Sequence, residues 1–119
     1  MRPSRQSRER LGRVAEALTA WRLAAAGYRT VARRAKTPFG EIDLVVLKGD
    51  VAAIVEVKAR RDFESGVAAV TPRQRRRLQQ AAEWLAAQRP SLAKRRLRFD
   101  IVVVRPWRLP RHLPDAWRP

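Results

Sequence analysis

The chain has 119 residues and 13.7 kDa, enough for one compact domain with a modest core and too few for two. Its 27 Lys and Arg against 11 Asp and Glu give a formal charge of +16 and a pI near 11.9. That excess calls for an anionic partner: nucleic acid first, because a basic surface neutralises phosphates and releases their counterions, and an anionic membrane surface second. Cys is absent and His112 is the only His, which excludes disulfides, thiolate zinc sites, cysteine nucleophiles and imidazole triads, leaving carboxylates and Lys for chemistry.

Met1–Glu9 is polar, basic and interrupted by Pro3, and reads as a basic flexible arm. From Arg10 to about Ala26, Leu11, Val14, Ala15, Leu18, Trp21 and Ala25 recur at helical spacing, and Gly27 supplies a stop. The spacing predicts a helix that buries this stripe and leaves Glu16, on the other side of the wheel, in solvent. Tyr28–Arg34 reads as a polar-faced strand and Ala35–Gly40, with Pro38 and Gly40, as a loop. Glu41–Leu47 and Val51–Lys58 are rich in β-branched residues on either side of Lys48-Gly49-Asp50, the pattern of a hairpin.

Ala59–Val70 has mixed charge and no period, so a loop over the sheet is expected. Thr71 as N-cap and Pro72 at the first helical position open a second helix, with Leu78, Ala81, Ala82 and Leu85 as its buried stripe and an end near Arg89-Pro90. Phe99–Val104 is a short apolar run suited to a buried strand, and the chain beyond Arg105 is rich in Pro. The expected organisation is one α/β domain over 10–105, a mixed sheet flanked by helices in the order αβββαβ, with a tail over 106–119 packed on it. No apolar stretch reaches the roughly 18–20 residues of a membrane span, and Met1–Arg13 lacks the apolar core of a signal peptide, so a cytoplasmic protein without a membrane partner is expected.

The hairpin carries the chemistry. A two-residue Gly49-Asp50 turn, with Gly supplying a positive φ, sets Lys48 against Val51. Counting outward, Asp43 falls opposite Glu56 and Glu41 opposite Lys58, all on one face because strand side chains alternate. Directly opposed residues have Cβ atoms about 4.5–5.5 Å apart, and like charges there destabilise a sheet. Folding alone would not choose such a pair, whereas Mg²⁺, an oxygen-seeking cation held by one or two carboxylates with water and phosphate, would. Lys58 could then orient or deprotonate a water and offset charge on the transition state of phosphodiester hydrolysis. Only four of the cations are Lys, so a Lys beside a carboxylate stands out, although Glu-x-Lys by itself is common on solvated strands.

Arg73, Arg75, Arg76 and Arg77 crowd the first turns of the second helix, where the macrodipole disfavours cations by a few tenths to about 1 kcal/mol each unless a phosphate docks there. Arg60 and Arg61, just beyond Lys58, are placed to hold a nucleic-acid backbone near a metal. A solvated charged face is the alternative for the helix start. Nothing in the pattern reads bases, so selectivity for structure or shape is expected over sequence.

Four motifs in order, Gly12-x-x-x-Glu16, Gly40-Glu41-Ile42-Asp43-Leu44, Glu56-Val57-Lys58-x-Arg60 and Arg98-Phe99-Asp100, give the stretch from Arg10 to Val104 a specific character, with an echo in Asp115-Ala116-Trp117. In these the chain resembles the YraN-like endonucleases, a bacterial family similar in its core to Holliday junction resolvases and the PD-(D/E)xK superfamily. The resemblance implies a restriction-endonuclease-like fold, a metal (Mg²⁺, with Mn²⁺ as substitute) on Asp43 and Glu56, a catalytic Lys58, and Glu16 as an accessory carboxylate reaching the site from the first helix. It also implies DNA as partner and metal-dependent cleavage as function, with a non-catalytic nucleic-acid-binding protein of the same fold, or more distantly an RNA-bound protein, as alternatives. A homodimer would set two sites against two strands. The family often has a Lys in the stretch 71–77, where Gln74 stands here.

Overall fold

The computed structural model describes the backbone of residues 5–119 and the side chains from residue 10 onward. A long helix, α1 (Arg5–Ala25), leads into three consecutive strands, β1 (Arg29–Thr37), β2 (Gly40–Lys48) and β3 (Val51–Ala59). Three helices follow, α2 (Phe63–Ala68), α3 (Pro72–Gln88) and α4 (Pro90–Ala93), before β4 (Arg96–Val104) and β5 (Arg111–Trp117). The strands form one sheet in the order β1-β2-β3-β4-β5, with β3 and β4 parallel and the other neighbours antiparallel. Parallel neighbours need a crossover, and α2 to α4 supply it. A mixed sheet flanked by helices, consistent with a restriction-endonuclease-like fold, is thus observed.

The hairpin register follows the expected count. Lys48 pairs with Val51 and Leu44 with Val55, and Gly49 turns the chain at φ 58°. Ala52 and Ile54 on β3 join Leu78, Ala81, Ala82 and Leu85 of α3 in one core, while Val51, Ala53 and Val55 join Ala20 and Leu23 of α1 in the other. Period-2 alternation therefore gives each face of β3 its own helix. α3 begins where Thr71 and Pro72 predict, the Thr71 hydroxyl accepting the Gln74 N–H at 3.2 Å.

Four expectations are corrected. The first helix starts at Arg5, so the supposed arm over 1–9 is partly helical, and Met1–Ser4 lie outside the described residues. The supposed loop at 35–40 shrinks to Pro38-Phe39, because β1 runs on to Thr37, whose hydroxyl accepts the Phe39 N–H at 3.0 Å and donates to the Gly40 carbonyl at 2.6 Å. Within the expected loop at 59–70, Asp62 caps the six-residue α2 by accepting the Ser65 N–H at 2.8 Å. Gly66 then passes so near Val103 that a Cβ would meet its side chain at 2.5 Å. The tail over 106–119 contributes a fifth strand: β5 pairs with β4 at the sheet edge, where Pro114 is tolerated, and Trp117 is buried, stacked on Phe99 at 5.3 Å between ring centroids.

The largest correction concerns α1. Ala15, Thr19, Ala20 and Leu23 face the protein, whereas Leu11, Val14, Leu18 and Trp21, the expected core stripe, lie in solvent at 42–60 % exposure. Small side chains let the helix backbone seat closely on the sheet, and Thr19 returns its hydroxyl proton to the Ala15 carbonyl at 2.8 Å. Glu16 consequently turns inward, its side chain only 13 % exposed. No helix among the described residues is long and apolar enough to cross a membrane.

Candidate active site

β2 changes character at Asp43. Val45 and Leu47 lie on the α3 face and Leu44 and Val46 on the α1 face, yet Ile42 joins the α3 face, which strict alternation forbids. Opposite Asp43 on β1, between the pairs Arg33–Leu44 and Ala35–Ile42, Arg34 sits in the left-handed region at φ 48°. That conformation is costly for a residue with a Cβ and turns the ribbon over locally. The β2–β3 pairing stops at Leu44–Val55, and the Asp43 carboxylate fills the gap by accepting the Val57 N–H at 2.9 Å. A side chain thus replaces a backbone acceptor, which holds the carboxylate against β3.

Glu56 is buried on the α3 side of β3. Lys58 lies 3.5 Å from its Oε1, and Arg77, reaching over from α3, lies 4.0 Å from its Oε2. Oε2 is buried and accepts no hydrogen bond. Arg77 is braced from behind, donating from Nη1 to the carbonyls of Phe39 and Glu41 at 3.2 Å each. Gly40 makes room for it: φ 108° strains any residue that carries a Cβ, and a Cβ there would lie 2.6 Å from Arg77 Nη1, so the guanidinium would have to move aside. Gly40→Ala is therefore expected to lower Tm by about 5 °C or more, and to weaken any function of Arg77 as much as Arg77→Ala does. Thermal melts of the two variants check this.

The site residues expected from the sequence are partly brought together. Asp43, Glu56 and Lys58 converge. Glu41 does not oppose Lys58, because the pairing has ended before it; Glu41 is exposed and lines a recess with Gly12, Arg13, Glu16 and Arg34. Glu16 turns onto β1, where its Oε1 accepts from Arg34 Nε at 2.6 Å, Arg34 being the residue across from Asp43. Among the described residues no three carboxylates or imidazoles gather tightly enough to form a metal cage. Arg60, Arg61, Arg73 and Arg76 are exposed. Arg75 is taken up within the protein, donating to the Val70 carbonyl at 3.1 Å and lying over the Trp117 ring at 5.3 Å. Gln74 offers a buried Oε1 without a hydrogen-bond partner, and one turn later, on the same side of α3, Arg77 supplies the cation that faces Glu56.

Two carboxylates held this close repel. Burial, and next the charge of Glu56, push the Asp43 carboxyl from 3.8 up to about 7, against the Val57 N–H, which lowers it. The folded protein then holds a proton that the unfolded chain has already released. In metal-free buffer, stability consequently falls as pH rises from about 4 to about 7, the reverse of the usual salt-bridged Asp. Asn at position 43 keeps the acceptor for Val57 and removes the charge, so Asp43→Asn is expected to raise Tm by at least about 5 °C at pH 8 in EDTA. It should also flatten the fall between pH 4 and 7. A wild-type melt that is level across that range would contradict the argument.

A cation would relieve the same repulsion. The residues fit a hard divalent ion: two carboxylates side by side, an orphan Glu56 Oε2, and no competing nitrogen or sulfur donor in the set.

A family model described as "Uncharacterised protein family UPF0102" matches residues 15–104, a span that takes in Glu16, Asp43, Glu56, Lys58, Arg77 and Asp100. A UPF0102 protein of Parvibaculum lavamentivorans is 54 % identical over 110 residues, 92 % of this chain and 83 % of its own length. Those of Paramagnetospirillum magneticum and Caulobacter vibrioides are 48 % and 49 % identical, covering 98 % and 95 % of this chain and 95 % and 94 % of their own lengths. With a model that spans most of the domain and relatives this similar from end to end, the chain belongs to the UPF0102 family.

Proposed function

We propose that the protein is a metal-dependent nuclease that hydrolyses phosphodiester bonds in DNA and selects structure rather than sequence. One observation carries the reading: Asp43 and Glu56 are held together at a break in the β2–β3 pairing, with Lys58 and Arg77 at opposite oxygens of Glu56. An Asn would give Val57 the same acceptor, so the sheet gains nothing from the second negative charge, whereas phosphoryl chemistry needs the pair. Asp43 and Glu56 would hold Mg²⁺ or Mn²⁺, which when bound supplies Lewis-acid stabilisation of charge on the phosphate. Lys58, already on the carboxylate face, orients the attacking water and offsets the charge that develops on the phosphate oxygens. Arg77, braced by two backbone carbonyls, presents a fixed guanidinium to one of those oxygens, and exposed Arg60, Arg61, Arg73 and Arg76 hold the strand by its phosphates.

The test is cleavage by purified protein of linear, single-stranded, flapped and four-way-branched DNA with Mg²⁺ or Mn²⁺. Cleavage of the branched or flapped substrates ahead of linear duplex supports the proposal. Salt-sensitive binding to every substrate, without cleavage of any, would replace it with a nucleic-acid-binding protein that keeps the nuclease fold.

A further inference from the structure

α1 carries four of its bulky apolar side chains on the side that a monomer leaves in water. Leu11, Val14, Leu18 and Trp21 are 60, 55, 42 and 60 % exposed, while the helix rests on the sheet through Ala15, Thr19, Ala20 and Leu23. The outward residues are spaced three, four and three apart, and Ala25 continues the step of four. At 100° per residue they make a seam roughly 80° wide. No charged residue interrupts it between Arg13 and Arg22, and Ala17 and Ala24 flank one side.

We propose that this seam is a self-association surface, on which α1 of a second copy packs helix to helix. Its width supports that occupant: a strict three-four repeat is the narrow seam of a helix pair, whereas a helix lying in a lipid surface presents a broad apolar face. The area supports it as well. The four side chains expose on the order of 400 Å², the scale of the largest apolar patch on an ordinary monomer. Doubled by a two-fold axis, and with the flanking Ala and Arg stems, the contact reaches on the order of 1,000 Å², the lower bound of a specific interface and the range of a weak, micromolar dimer. An antiparallel pairing with the axis level with residue 16 sets Leu11 against Trp21 of the second copy and Val14 against Leu18, leaves the two Ala17 only about 3 Å apart along the helix direction, and opposes the two helix dipoles.

Charge supplies a signature. Each copy carries +16, so long-range repulsion opposes the pairing and salt relieves it. The dimer tightens as salt is added, while attachment to an anionic membrane or an acidic protein would loosen. Leu11 also lines the recess that holds Lys58 and Arg60, so the end of the seam adjoins the candidate active site. The surface itself is independent of the nuclease reading and stands or falls without it.

Sedimentation velocity between about 1 and 100 μM protein, at about 0.1 and 0.5 M NaCl, tests the proposal. Wild type is expected to shift from monomer to dimer across this range and to do so at lower concentration in the higher salt. Leu18→Glu, with an unchanged circular dichroism spectrum, is expected to raise the dissociation constant at least about tenfold. The chain has no Cys, so Ala17→Cys provides a second measure that does not depend on a disruptive change: mild oxidation is expected to trap a disulfide-linked dimer. A wild type that stays monomeric under all these conditions overturns the proposal, as does a dimer that survives Leu18→Glu or an Ala17→Cys protein that yields no cross-link. Co-sedimentation of a monomeric wild type with phosphatidylglycerol vesicles, lost in Trp21→Ala, would overturn it too and assign the face to lipid.

Discussion

Asp43→Ala is expected to reduce metal-dependent cleavage by about 10²–10³-fold, equivalent to about 3–4 kcal/mol of transition-state stabilisation. Its binding of DNA in EDTA should be unchanged or tighter. The two expectations pull apart because the variant loses half of the carboxylate pair that would hold the ion, yet also removes a negative charge from beside the phosphates. Lys58→Ala should reduce cleavage by about 10²-fold while leaving the carboxylate pair intact, since its Nζ contacts Glu56 Oε1 at 3.5 Å and replaces no ladder contact. Divalent ion adds a measurement that needs no turnover. It should raise the Tm of wild type and of Lys58→Ala, and leave that of Asp43→Ala where it was. Single-turnover cleavage, filter binding in EDTA and thermal melts give the three readouts. Cleavage unchanged in both variants would trace the activity to a contaminant, and a metal-dependent rise in the Tm of Asp43→Ala would place the ion elsewhere.

The hairpin was legible because its register depends on chemistry that the sequence writes locally: Gly49 at the turn, and apolar alternation that cannot slip without exposing the core. The same counting placed Asp43 beside Glu56 but put Glu41 opposite Lys58, where it does not lie. The difference arises at Arg34, whose left-handed backbone breaks the alternation of β1 and β2, and Arg is not a residue that announces such a conformation. Arg77 as a neighbour of Glu56 was hidden for another reason. Its place depends on α3 packing across β2, a contact between residues distant in the chain, and its one local clue, the space left by Gly40, reads in the sequence as an ordinary turn Gly.

α1 shows periodicity read correctly and oriented wrongly. An apolar stripe tells that a helix will bury a face, and not against what. Here α1 meets its own sheet mostly through small residues and Leu23, while Leu11, Val14, Leu18 and Trp21 face outward, so the stripe that predicts a core in a monomer marks an outer surface instead. Glu16 is the corollary. Periodicity sent it to solvent and the family resemblance sent it towards the site; the structure turns it inward onto Arg34, so the solvent placement is the one it overturns.

Asp100→Ala is expected to destabilise the protein by about 3–5 kcal/mol, the cost of stripping the partner from a buried ion pair. Asp100 is completely buried, and its two oxygens accept from Arg98 Nε at 2.9 Å, Arg98 Nη2 at 2.7 Å, the Asp115 N–H at 3.0 Å and His112 Nε2 at 2.8 Å. Burial pushes the Asp100 carboxyl up, and the bonds from His112, Arg98 and Asp115 together outweigh it, holding the group below 3.8. These partners sit on β4 and β5, and Arg98 continues to the Tyr28 hydroxyl at 2.8 Å, so one carboxylate ties the last strand to the sheet and to the start of β1. Because the folded carboxyl lies below its unfolded value, the stabilisation is present above about pH 4 and is lost as pH falls through the folded value. Urea midpoints should therefore show an acid limb in wild type that is reduced in Asp100→Asn, which keeps the shape and loses the charge. Hydrogen exchange should show the β5 amides opening first in Asp100→Ala, before the β2–β3 hairpin, whose apolar pairing owes nothing to this cluster. Equal protection of both regions, or a urea midpoint unchanged by Asp100→Ala, would mean that stacking of Trp117 on Phe99 alone holds β5 in place.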